Sequence, residues 1–110
     1  MLDRRFEPRT LCNDTVQLEW SKKSGDPRRM DARLDHISRS GAQLLLDQPV
    51  PLGTSVRMIH DKGELRGKVR HCVSGPTGFD IGVEFNPGSE WSEKDYRPRQ
   101  DLKLRRARRT

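Results

Sequence analysis

"RLDHISRSGAQLLL", residues 33–46, decides how the chain is read. Ala32 and Leu34 before the break, and Ala42, Leu44 and Leu46 after it, keep the period-two alternation of a strand with one buried face. Between them stand Ser38, Arg39, Ser40 and Gly41, small and polar residues that interrupt the alternation. Two strands joined by a short turn account for that pattern.

The same alternation recurs on both sides. "TVQLEW" places Val16, Leu18 and Trp20 on one face, and Met30 starts the series that Ala32 and Leu34 continue after the loop "SKKSGDPRR". "SVRMIH" is a further strand, followed by the turn "DKG", where Gly63 can take a positive φ. Next, Leu65, Gly67, Val69, His71 and Val73 read as one face of a strand, and "SGPTG" as another turn. In "GFDIGVEF", Phe79, Ile81, Val83 and Phe85 alternate with Asp80, Gly82 and Glu84. Short strands separated by turn signals, with no helical period before residue 88, predict an all-β barrel or sandwich. At 110 residues a barrel is favoured, because closure leaves no unpaired edge. Beyond "NPGSEWSEKDY" the pattern is polar, which predicts at most a short helix opening at Ser89 or Ser92 and then a flexible tail over the rest of residues 88–110.

Composition bounds the function. Apolar residues are 31% of the chain and charged residues 35%, enough for one small core. No apolar run approaches the roughly 20 residues of a membrane helix, and "MLDRRFEPRT" lacks the apolar centre of a signal peptide, so the expectation is a soluble, cytoplasmic protein without membrane insertion. The net charge of +6 resides entirely in Arg97–Thr110; residues 1–96 hold 15 basic and 15 acidic residues. A basic face for nucleic acid on the folded body is therefore not indicated, and the tail has no interleaved aromatic residues for base stacking. Cys12 and Cys72 form no CxxC pair, and His36, His60 and His71 show no metal-ligand spacing, so no metal or cofactor is expected. Nor does the chain show paired catalytic acids, a nucleophile with its base or a Gly-rich phosphate loop, which argues against an enzyme.

Two short motifs carry chemistry. In "RRFEPR", Arg5 and Arg9 are separated by three residues, with Arg4 adjacent and Pro8 stiffening the segment. Arginine forks engage phosphates, or O6 and N7 of guanine, bidentately. In "HISRSG", Ser38 brings a short hydroxyl, while Gly41 permits close backbone approach or an unusual φ. Each motif alone also reads blandly, the first as a solvated arm and the second as a bulge that turns the chain.

Their order resembles that of the PilZ domain family: RxxxR near the N-terminus, then (D/N)xSxxG. Here the first is Arg5 and Arg9, and the second ends at Ser38 and Gly41; "GAQLLL", "GKVRHCV" and "FDIGVEF" resemble the strands that follow. The likeness covers about residues 2–87 and implies a six-stranded antiparallel β-barrel, over residues 13–87, preceded by a ligand-clamping arm over residues 1–12. It also implies binding of cyclic di-GMP, a bacterial second messenger, by Arg4, Arg5, Arg9, His36, Ser38 and Gly41, with a downstream protein responding to the changed surface. His36 departs from the family's Asp or Asn. A carboxylate accepts from guanine N1 and N2, whereas neutral imidazole offers one acceptor and one donor, so the substitution predicts weakened affinity. It also leaves two alternatives open: an adaptor that acts by protein contact without nucleotide, and a polyanion binder acting through the tail. Asp35 stands one position early, on the opposite face unless a bulge intervenes.

Overall fold

The computed structural model describes residues 10–22, 25–61, 63–89 and 91. Six antiparallel strands, β1 (Thr10–Ser21), β2 (Pro27–Ile37), β3 (Gly41–Leu46), β4 (Ser55–His60), β5 (Gly63–Gly75) and β6 (Gly78–Phe85), close in the order β1-β2-β3-β6-β5-β4. The described residues contain no helix. The helix and flexible tail expected after Ser89 fall outside them, apart from Trp91.

The inward alternation builds the core. Val16, Leu18 and Trp20 of β1, Ala32 and Leu34 of β2, Ala42, Leu44 and Leu46 of β3, Val56 and Met58 of β4, Leu65 and Val69 of β5, and Ile81, Val83 and Phe85 of β6 are buried together. Each large aliphatic side chain contributes about 1.5–3 kcal/mol by leaving water. Two residues outside the strands join them: Val50, from the β3–β4 connection, and Trp91, whose backbone N–H donates to Arg39 O at 3.0 Å. The turns "DKG" and "SGPTG" are two-residue hairpins, with His60 opposite Gly63 and Gly75 opposite Gly78. Gly63, the first residue of β5, has φ +146°, which L side chains rarely adopt.

Ladder partners pass from Arg28 on β2 to Trp20, Val56, Gly67 and Phe85, and Phe85 N–H then donates to Ser40 O at 2.7 Å, in the turn that ends β2. A row that starts near one end of β2 thus returns at its other end, so the strands are strongly tilted, as closing six strands requires.

Three register shifts interrupt the ladders: one on β1 between Leu11 and Asp14, and two β-bulges, on β2 and β5, that break the alternation. On β2, Leu34 pairs with Leu44 and His36 with Gln43, which leaves Asp35 as the extra residue. The buried positions accordingly step from Leu34 to Ile37, three apart, and both Asp35 and His36 lie on the outer face. On β5, Val69 pairs with Val83 and His71 with Gly82, so Arg70 is extra. The regular alternation expected along β5 therefore stops at Val69: His71 and Val73 are exposed, and Cys72 packs against the core in their place. A bulge shifts the inside–outside phase by one residue, which composition alone does not announce.

Candidate functional site

The two bulges flank a cleft of about 190 Å³ on the outside of the barrel. β2 and the turn after it supply His36, Ile37, Ser38 and Ser40; β3 supplies Gly41, Ala42 and Gln43; β5 supplies Arg70 and His71; β6 supplies Gly82, Val83 and Glu84. Ladder pairing places His36, Gln43, Gly82 and His71 in one row across four strands.

The turn is built by its small residues. Ser38 N–H donates to Gly41 O at 2.9 Å, and the Ser38 hydroxyl reaches the same oxygen at 3.4 Å. Gly41 does not have a positive φ. Its requirement is close approach: a Cβ there would lie 2.4 Å from Val83 O, a backbone atom of the neighbouring strand. Gly82 forms bare floor in the cleft, where a Cβ would come within 2.9 Å of His71 Cβ.

Charge in the cleft comes from two strands, β5 and β6. Arg70 Nε donates to Glu84 Oε1 at 3.0 Å, and both side chains are partly exposed. Glu84 is the one carboxylate among the described residues of the lining. Asp35 is not in the lining; it pairs with Arg33 at 2.8 Å. On β1, burial pushes the Cys12 thiol up to about 12, with Asp14 and Asp35 adding to the effect.

Three of the residues singled out in the sequence thus come together: His36, Ser38 and Gly41. Arg4, Arg5 and Arg9 lie outside the described residues. The sequence reading missed Gln43, Arg70, His71 and Glu84. The signal for the middle pair is the break in apolar alternation between Val69 and Cys72, beside a strand that carries Gly82 opposite them. No group of His, Cys, Asp and Glu among the described residues has the arrangement of a metal site, and no helix there is long and apolar enough to cross a membrane.

A second, wider concavity of about 900 Å³ is lined by the β1–β2 hairpin, β4 and β5. Glu19 is its only carboxylate among the described residues, and it is shared by Arg57 and Arg29. Hydrogen bonds from Arg57 and then Arg29 hold Glu19 below the usual carboxylate range. Of the described motif residues, His36, Ser38 and Gly41, none lines this concavity.

A serine–glycine turn ending in a forced close approach, on the outside of a closed six-stranded barrel, agrees with the family model for the PilZ domain, which matches residues 3–97. The chain belongs to the PilZ domain family. Among solved PilZ relatives, the fold is similar to that of the K. pneumonia MrkH–c-di-GMP complex, with a TM-score of 0.58 at 16% identity. That match covers 78% of this chain and 46% of MrkH, so this chain spans less than half of that protein. The PilZ domain with c-di-GMP of YcgR from Escherichia coli gives a TM-score of 0.53 at 13% identity, covering 76% of this chain and 78% of that one. No functionally curated protein matches the sequence. At these identities the structural likenesses show the barrel fold.

Proposed function

We propose that this PilZ domain is a receptor for cyclic di-GMP, and that nucleotide binding changes the surface it offers to a downstream protein. The observation that carries the reading is the convergence of His36, Ser38 and Gly41 on one external cleft in a chain with RxxxR at Arg5 and Arg9. MrkH and the YcgR PilZ domain are both solved with this nucleotide, which supports the choice of ligand.

The cleft volume of about 190 Å³ falls below the roughly 300–1,000 Å³ of sites that enclose a whole small ligand. It suits one guanine with its neighbouring phosphate. The remainder of the dinucleotide then falls to the N-terminal arginines, whose forks match phosphate oxygens and the O6/N7 edge of guanine. In this reading the turn and the arm act together, and the protein binds without performing chemistry.

Calorimetric titration of the full chain with cyclic di-GMP, beside linear GMP and pGpG, tests the proposal. Saturable binding of the cyclic dinucleotide alone is expected. Arg5→Ala and Arg9→Ala should each weaken it at least tenfold, about 1.4 kcal/mol, in line with hydrogen bonds to charged groups. Unchanged dissociation constants in both variants would remove the arm from the site.

A further inference from the structure

The cleft presents an imidazole where the family motif has Asp or Asn, yet it is not without a carboxylate. We infer that Glu84, on β6, reads the N1–H and N2–H₂ edge of guanine in this protein, taking over the acceptor role that position 36 has lost. The inference rests on the proposal that the cleft receives cyclic di-GMP.

Four observations place Glu84 there. It lines the same cleft as His36, Ser38 and Gly41, and it is ladder partner of Gly41, the last residue of the motif. It is the only carboxylate among the described lining residues; Asp35, though on the outer face, is not in the lining and pairs with Arg33. Its side chain is 34% exposed, so a ligand can reach it. Arg70, the bulge residue of β5, donates to Oε1 and fixes the carboxylate on the cleft wall. An ionised carboxylate has about four lone-pair sites and accepts from more than one donor at a time.

The chemistry selects for guanine. A carboxylate only accepts, and the guanine edge presents two adjacent donors, N1–H and the exocyclic amino group. Adenine has an unprotonated N1 beside its amino group, so its ring nitrogen would face the carboxylate lone pair to lone pair. Hypoxanthine keeps N1–H but lacks the 2-amino group, and so removes one of the two hydrogen bonds. Gly82 leaves the adjacent floor bare, which gives a flat base room to approach β6.

The test titrates the full chain with cyclic di-GMP and with cyclic di-IMP, which differ only in the 2-amino group. Wild-type protein should prefer cyclic di-GMP at least tenfold. Glu84→Gln should bring that ratio below threefold while Asp35→Asn leaves it unchanged, with circular dichroism confirming the fold of each variant. A ratio near one in wild type, or one that survives Glu84→Gln, overturns the inference while leaving the receptor reading intact. Loss of the ratio in Asp35→Asn alone also overturns it, in favour of Asp35. No binding of either dinucleotide by wild type instead defeats the receptor reading on which the inference depends.

Discussion

At the scale of single residues, the site is governed by what is absent from Gly41 and Gly82 as much as by what His36 and Glu84 carry. Gly41→Ala would drive a methyl group against Val83 O, a backbone atom that cannot swing aside. A cost of about 1–3 kcal/mol is expected, read as a lower denaturant midpoint with an unchanged slope. At position 36 the family's own side chain offers a rescue: His36→Asp should tighten cyclic di-GMP binding several-fold, and should recover binding in the Glu84→Gln background, both read by calorimetry. The motif residues were legible in the sequence because their order along the chain is distinctive. Glu84, Arg70 and Gln43 were not, because what makes them neighbours is the ladder register between β3, β6 and β5, and outward strand positions look alike in a sequence so rich in charge.

At the scale of elements, the strands followed from alternation, and the bulges did not. Each bulge moves one residue into an outward position and carries the next apolar residue back to the core, so Ile37 and Cys72 fall inward although a strict period of two would put them outside. The bulge that the sequence reading left open is present, so Asp35 lies on the outer face beside His36, where it pairs with Arg33. On the outside of β1, β2 and β4 the ladder is fastened by Glu19 between Arg29 and Arg57. Because these arginines lower its pKa, Glu19 favours the folded state above the ordinary glutamate value of about 4.3. That contribution disappears as pH falls from there through the lowered folded-state value. Thermal midpoints measured from pH 7 to pH 3 should therefore fall less steeply for Glu19→Gln than for wild type, with the variant less stable at pH 7.

At the scale of the whole molecule, barrel closure and Trp91 meet at the Ser38–Gly41 turn. Trp91 is 7% exposed, packs on the core and donates its N–H to Arg39 O within the Ser38–Gly41 turn. Trp91→Ala should cost about 3–5 kcal/mol, the usual range for removing a buried indole, seen as a large drop in the chemical denaturation midpoint. A chain ending at Tyr96 keeps Trp91, and its midpoint should stay close to that of the full chain, while its salt-sensitive adhesion to heparin should weaken with the loss of the +6 segment. The closed topology was legible because one apolar face recurs in every strand. The role of Trp91 was not, because a lone tryptophan in a polar stretch has no period to betray its burial.

The β5 bulge also makes this domain a natural scaffold for an optical reporter. Position 70 projects outward at the rim of the cleft, beside the row that a base would cover, and as the extra residue of the bulge it stands outside the regular pairing of β5 with β6. An environment-sensitive dye attached there through Arg70→Cys would sense the exchange of water for nucleotide without occupying a core position, at the cost of the hydrogen bond to Glu84. The native thiols present little obstacle: Cys12, with its pKa near 12, stays protonated at the pH of maleimide coupling, and Cys72 can be replaced by Ala.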